Sequence, residues 1–334
     1  MRFQGLVAAG GGIAVAITIA ACGSSTLSAS ASGTTSGSSS SSDTAGRTLR
    51  SVTMIDPAPG QPAWDVIERC FKSEASAKGL EATVTGPPGS SAYDLSSLVN
   101  LTQQALTSGT QAIALTTSFS APSFAPLLKQ ARAKGVYIGT MESGTASPER
   151  NFDVGLNITR YAQDAAAHIA TMSGNRNVII MAQQYEGTPK IFIDSFKAAI
   201  ARYPSVHYLT AVFDESDTTK DTGLIDNALQ AHPNVGVILS ANPASTAPVA
   251  AAITESHDID KVRLLAVTRD SPGLAALKSG AAQGLYVQRL CDVGRLSVDN
   301  FVALSKGTSV PSLDPVGQTY VTAKNNSQYD SDWG

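Results

Sequence analysis

Three cysteines and four histidines are the residues of this 334-residue chain best suited to covalent, redox or metal chemistry. Cys22 ends an apolar run from about Gly5 to Ala21, in the context Ile19-Ala20-Ala21-Cys22-Gly23, with Arg2 ahead of it. The run is short for a bilayer-spanning helix and rich in Gly and Ala, so it reads as an export signal ending at a thiol. Cys70 and Cys291 remain. An even pair in an exported chain is a candidate disulfide, and two buried free thiols are the other reading. His168, His207, His232 and His257 are scattered with no i, i+4 ligand pair, which argues against a structural zinc site. No Gly-x-Ser-x-Gly elbow, Gly-x-x-x-x-Gly-Lys loop, His-Glu-x-x-His or Ser-x-x-Lys pair occurs in the body. Asp258 and Asp260, flanking Ile259 beside His257, read as a solvated loop. An enzyme is left without a nucleophile or a metal, and no cofactor is implied.

The net charge of −3 comes with no basic stripe, which argues against a nucleic-acid partner. No second apolar run approaches membrane-spanning length, so the body is expected to be soluble. Residues 22–46 form a separate segment: from Gly23 to Gly46 the chain is almost wholly Ser, Gly, Thr and Ala, with Asp43 and Leu27 as exceptions. Such a segment cannot bury enough surface to offset its chain entropy, and it reads as a disordered tether. As a Gly/Ser-type coil its root-mean-square span is about 25–30 Å.

Regular elements must position whatever chemistry the body performs. Apolar, β-rich runs at Ser51–Asp56, Glu81–Thr85, Ala112–Thr116, Tyr137–Met141, Asn177–Ala182, His207–Phe213, Gly236–Ser240, Arg263–Val267 and Gly284–Gln288 alternate with helical periods. Two such periods are Phe124, Leu127, Leu128, Ala131 and Phe192, Phe196, Ile200, Tyr203. This alternation predicts α/β architecture with parallel sheets covered on both faces, and the length suits two lobes. Proline recurs where helices should begin, at Gln61-Pro62, Ala121-Pro122, Thr188-Pro189, Asn242-Pro243 and Ser271-Pro272. Ligands of doubly wound folds bind outside the carboxyl ends of the strands, where these junctions lie. Simple helix capping accounts for most of them equally well.

Two resemblances give these features a setting. The context of Cys22 resembles the lipobox of bacterial lipoproteins, which implies cleavage of residues 1–21 and lipidation of the Cys22 thiol. An ordinary signal peptide or an uncleaved anchor is the alternative. The body, from about Leu49 to Lys324, resembles type I periplasmic binding proteins of the ribose/galactose class, receptors of ABC sugar importers. Gln103-Gln104-Ala105-Leu106-Thr107-Ser108-Gly109-Thr110-Gln111-Ala112-Ile113 is similar to the family's Q-x-L-I-x-x-G-V-D-A-I. Ala131–Ile138 is similar to A-x-x-x-G-I-P-V, Phe196–Pro204 to F-x-x-A-L-A-K-Y-P, Leu229–Val235 to L-Q-A-H-P-D-I, and Ala276–Gly280 to A-I-K-S-G.

The family fold implies two doubly wound, Rossmann-like lobes joined by three crossover strands and closing on a ligand about a hinge. Crossovers are expected near Glu142–Asn151, Thr268–Ser271 and Gln288–Asp292. The lobes are then 47–142 with 289–308, and 143–288 with 309–334. In this family the helices bearing Cys70 and Cys291 share the first lobe and can be neighbours.

The resemblance also carries over binding positions. Trp64 would stack on a sugar ring with Gln61 as a hydroxyl partner, although a Trp anchoring its helix in the core is the rival reading. Glu142 stands where the family has an Asp after strand four, and Lys190 where it has an Arg; a solvated lysine at a helix start is the alternative. Asn242 and Gln288 match a family Asn and Gln, and Thr117 and Ser118 occupy a polar turn. At Val267-Thr268-Arg269-Asp270-Ser271-Pro272 the family reads G-F-D-G-T-P. If Arg269 faces the cleft, it could accept with Lys190 a carboxylate or phosphate; if Asp270 takes the position, a neutral sugar fits. The expected function is capture of a sugar, polyol or sugar acid by a monomer and delivery to an ABC permease. A tethered receptor for a sensor kinase or chemoreceptor, and more remotely an extracellular α/β enzyme, are the alternatives. The expected location is extracytoplasmic, with membrane contact through the lipid alone.

Overall fold

Runs such as Val178-Ile179-Ile180-Met181 are apolar at every position because both of their faces are covered. In the computed structural model, which describes residues 48–118, 121–144, 149–268 and 271–327, Val178 and Ile180 enter one core cluster and Ile179 and Met181 another. Cys22, the export segment, the tether, Arg269 and Asp270 lie outside the described residues.

The first sheet contains β1 (Ser51–Ile55), β2 (Glu81–Thr85), β3 (Ala112–Leu115), β4 (Tyr137–Met141), β5 (Phe152–Gly155) and β11 (Leu313–Pro315). Its order is β11-β5-β4-β3-β1-β2, and every pairing is parallel. The second contains β6 (Asn177–Ala182), β7 (His207–Phe213), β8 (Val237–Ser240), β9 (Arg263–Val267), β10 (Ala282–Gln288) and β12 (Gln318–Val321). Its order is β12-β10-β9-β8-β6-β7, with only β12 antiparallel. Each of the nine expected strands forms within two residues of its expected bounds.

Helices cover both faces of each sheet. In the first lobe α1 (Pro62–Ala77) and α9 (Leu290–Ser305) bury Phe71, Val293 and Phe301 on one face. On the other, α2 (Leu95–Thr107) and α3 (Ala121–Ala133) bury Leu98, Phe124 and Leu128. In the second lobe α4 (Ile158–Thr171) and α5 (Gly187–Ile200) supply Tyr161, Ile169, Phe192 and Phe196. Opposite them lie α6 (Asp221–Ala231), α7 (Thr246–Glu255) and α8 (Ser271–Ser279), with Ile225, Val249 and Leu277. Gly294 lets α9 approach α1: a Cβ there would lie 2.3 Å from the Ile67 carbonyl oxygen. At that approach Cys70 of α1 and Cys291 of α9 form a disulfide, their Cα atoms 5.2 Å apart.

Sheet membership corrects the expected lobe boundaries. The chain leaves the first lobe after β5, at Leu156–Asn157, not between Glu142 and Asn151. It returns at Arg289, between β10 and α9, and crosses again between β11 and β12, at Val316–Gly317. No crossing occurs at Thr268–Ser271, because β9 and β10 are neighbours in one sheet. Residues 152–155 and 313–315 thus move from the second lobe to the first. Both strands are short and interrupted by polar or imino residues, Asp153 in one and Asp314-Pro315 in the other, so their extended form comes from pairing with a neighbour.

Candidate functional site

Parallel strands bring the turns after their carboxyl ends to one edge of each sheet, and here the two edges face each other. Between them lies a cavity of about 280 Å³. The first lobe contributes Gln61 and Trp64 after β1, Tyr93 after β2, Thr116 and Ser118 after β3, and Glu142 after β4. The second contributes Gln183 after β6, Ser216 and Thr218 after β7, Asn242 after β8, Val267 on β9 and Gln288 on β10. The lobes are in contact. The Thr188 hydroxyl donates to the Ser143 carbonyl at 3.3 Å, and a Cβ on Gly187, whose φ is +53°, would lie 2.0 Å from the Ser118 carbonyl oxygen. A side chain at 187 would hold the lobes apart.

Trp64 is buried, and its indole N–H donates to the Tyr93 hydroxyl at 2.9 Å. Tyr93 donates in turn to Gln61 Oε1 at 3.0 Å. Both expected readings of Trp64 hold geometrically, since it lines the cavity and also belongs to the first-lobe core. Burial pushes the Tyr93 hydroxyl up to about 12, so it stays a neutral donor.

Glu142 occupies a left-handed backbone conformation, φ 54°, that side chains other than Gly and Asn seldom adopt. Its backbone N–H donates to Val154, its Oε1 accepts from Gln288 Nε2 at 2.6 Å, and its carbonyl accepts from the Ser118 hydroxyl. The turn is held from beneath by Asp153, which accepts from the Ser143 and Gly144 amides and from Thr140. Burial, reinforced by the negative charge of Asp153, pushes the Glu142 carboxyl up to about 8. At neutral pH Glu142 is therefore protonated and uncharged.

Asn242 caps the turn that leads into α7, its Oδ1 accepting from Ala244 N–H and its Nδ2 donating to Ser245 Oγ at 3.0 Å. Nδ2 also approaches Asp214 Oδ2, at 3.4 Å. Two expected site residues do not line the cavity. Thr117 turns to Ser143, and Thr116 faces the cavity instead, because side chains alternate along an extended segment. Lys190 is exposed on α5, ion-paired with Asp194 and lying over the Tyr185 ring at 5.0 Å. Two positions separate it from Phe192 of the cavity wall, which turns it about 200° round the helix.

Among the described residues no group of three His, Cys, Asp or Glu could hold a metal. Among them, too, no helix is long and apolar enough to cross a membrane. What remains is a two-lobed cleft with polar groups from both lobes.

The model of the periplasmic binding protein domain matches residues 52–309. The chain belongs to the periplasmic binding protein family. This is a family of solute-binding proteins, not of enzymes. Comparison with curated proteins gives no match. Several solved periplasmic binding proteins share the fold. A carbohydrate transporter solute-binding protein from Agrobacterium radiobacter, in complex with D-arabinose, superposes with a TM-score of 0.75 at 20% identity, covering 86% of this chain and 99% of its own. An ABC transporter solute-binding protein from Burkholderia graminis, also with D-arabinose, gives 0.76 at 24% identity, covering 84% and 97%. GanP, a glucose-galactose binding protein from Geobacillus stearothermophilus, gives 0.77 at 16% identity, covering 84% and 99%.

Tyr93, Gln183, Ser216 and Thr218 line the cleft of this periplasmic binding protein but escape sequence reasoning. For Gln183, Ser216 and Thr218 the only signal is position, a polar residue shortly after a predicted strand; Tyr93 lies eight residues beyond β2 and has no such signal.

Proposed function

We propose that this periplasmic binding protein captures a small neutral sugar in the interlobe cleft and delivers it to an ABC importer. The observation that carries the reading is the Glu142–Gln288 hydrogen bond, which ties the first lobe to the second at the cavity and leaves an uncharged acid facing the ligand space. The solved relatives named above include two with a bound sugar, which supports the ligand class. A neutral Glu142 also favours a sugar or polyol over a sugar acid. Gln61, Trp64, Ser118, Glu142, Asn242 and Gln288 are the contacts assigned to the ligand. Ligand bridging both lobes favours the closed form.

Calorimetry of the full chain against neutral sugars, polyols and sugar acids tests this. A neutral sugar at a hundred times its Kd should stabilise the protein by about 2.7 kcal/mol. Binding of sugar acids alone would overturn the neutral-sugar reading. Delivery from the membrane surface goes with lipidation of Cys22 and a tether of residues 23–46. Labelling with a fatty-acid analogue should mark the wild type and not Cys22→Ala; equal labelling of both would rule the anchor out.

A further inference from the structure

Three crossings join the lobes, and they run side by side. The Val316 amide donates to the Gly155 carbonyl at 2.9 Å, which pairs the third crossing with the first. The Arg289 amide donates to the Gly317 carbonyl at 3.1 Å, which pairs the second with the third. Closure about such a hinge is taken up by torsions in these few residues. The second crossing, Arg289, lies between two residues of the cleft wall, Gln288 and Leu290, and Cys291 follows directly.

Cys291 is bonded to Cys70 of α1, a helix with cleft residues of its own. Trp64, Ile67 and Cys70 recur at every third position and so share a face of that helix. Trp64 and Ile67 line the cavity, as does Gln61 just ahead of the helix. The two backbones meet beside the bond: a Cβ on Gly294 would lie 2.7 Å from the Phe71 amide nitrogen. One covalent link thus fixes the first-lobe end of the hinge to the helix that sets the first wall. Both cysteines are only partly buried, which leaves the bond open to a small thiol. Cys291 also lies in the first turn of α9, where the helix dipole favours a thiolate, and Arg289 and Arg295 flank it, both paired with Asp292. It is therefore the better leaving group of the two.

We propose that the Cys70–Cys291 bond is a redox-sensitive lock on the hinge, opened by a dithiol reductant, and that the opened form binds ligand more weakly. A thiolate of the reductant attacks Cys70 Sγ, the S–S bond breaks, and Cys291 leaves as a thiolate that takes up a proton. The reductant's second thiol loses its proton and attacks the mixed disulfide. It closes the reductant's own disulfide and releases Cys70, which is protonated in turn. Two electrons and two protons have then passed to the protein. With the bond open the hinge samples more open forms, and apparent affinity falls with the fraction that is competent to bind. The proposal concerns control of the ligand site described above and rests on that reading.

Treating the full chain with dithiothreitol gives the second form, identified by two thiols more than the untreated chain. Both forms are titrated by calorimetry with D-arabinose, D-glucose and D-galactose, at a temperature where circular dichroism shows both folded. The dithiol form should bind the preferred sugar about threefold to tenfold more weakly. Cys70→Ala combined with Cys291→Ala should bind as weakly and ignore dithiothreitol. A bond that only stabilises the fold would move the unfolding temperature and leave this affinity unchanged, so equal affinity of the two forms would overturn the proposal. Small-angle scattering needs no ligand: the radius of gyration of the sugar-free chain should increase on reduction. Identical scattering of the two forms would overturn the proposal whatever the sugars do. Binding of none of the three sugars, with scattering that differs, would overturn the sugar reading and leave the hinge lock standing.

Discussion

The two walls of the cleft are built on different principles. On the first-lobe side the polar groups are bonded to one another before any ligand arrives, and the elements behind them are cross-linked by Cys70–Cys291. On the second-lobe side the side chains of Gln183, Ser216 and Thr218 and the buried hydroxyl of Tyr161 have no partner among the described residues, and the turns that carry Ser216 and Thr218 rest on buried carboxylates. Asp214 accepts from the Ser216 amide, Ser245 and Asn242. Asp221 opens α6, fully buried, with neither oxygen in hydrogen-bonding geometry. The first wall is pre-set and its ordering is complete when the chain folds. The second needs a ligand to satisfy it, so selectivity should reside there.

Breaking the cross-link should have the largest effect and should fall on the first lobe alone. Cys70 and Cys291 are 221 positions apart, a long loop for an unfolded chain to keep closed. Replacing both with Ala should cost about 2–5 kcal/mol of stability. Hydrogen exchange should accelerate in α1 and α9 and stay unchanged in α4 and α5. Uniform acceleration would mean that the lobes do not differ in this way.

A second measurement sharpens the contrast from the other side. Burial, with the neighbouring charge of Asp214, raises the Asp221 carboxyl well above the usual range. The folded protein then keeps a proton that the unfolded chain releases, so the contribution of Asp221 to stability is greatest in acid and is lost as pH rises towards neutrality. Asp221→Asn carries no such proton. It should match the wild type near pH 4 and exceed it at pH 8 by about 1–3 kcal/mol, read from urea unfolding at both values. A gap of equal size at the two pH values would exclude a shifted Asp221.

How far these walls could be read from the chain depends on what made them. The strands that define the sheets announce themselves as runs of Val, Ile, Leu and Ala, and their ends place Gln61, Trp64, Ser118, Glu142, Asn242 and Gln288 at the cleft. β5, β11 and β12 carry no such run; β11, for one, is Leu313-Asp314-Pro315, and only its neighbour holds it extended. Tyr93 comes after a short turn at Gly89–Ser91 and has φ 62°, a conformation that no local periodicity signals. Thr117 and Thr116 differ only in the parity of an extended segment, which one polar turn looks too alike to reveal. The acid pair is divided between the turn after β7 and the start of α6, and only the packing of α6 brings Asp221 towards Asp214.

Glu142 belongs to the first wall but reports on closure. With its carboxyl raised to about 8 from a usual 4.5, it is mostly protonated at pH 7 and gains charge as the pH rises through about 8. Ligand affinity in the wild type should fall about threefold to tenfold between pH 7 and pH 9, as a carboxylate forms beside Asp153 and an apolar wall. Glu142→Gln keeps an oxygen for Gln288 and has nothing to titrate. Its affinity should stay flat over the same interval, and a profile parallel to the wild type would assign the titration elsewhere.

The smallest expected effect is the most direct test of which side chains belong to the cleft. The family resemblance leads one to expect Lys190 at the ligand, yet the helical period that turns Phe192 inward turns Lys190 out to Asp194 and Tyr185. An exposed ion pair of this kind is screened by water and contributes little to either stability or binding. Lys190→Ala should therefore change sugar affinity by less than about twofold, while Gln288→Ala, which strips Glu142 of its donor, should weaken it about tenfold. If Lys190→Ala weakened binding as much as Gln288→Ala, α5 would have to rotate by half a turn on closure. The burial of Phe192 and Phe196 in the second-lobe core opposes that rotation, since it would exchange two core rings for a charged side chain.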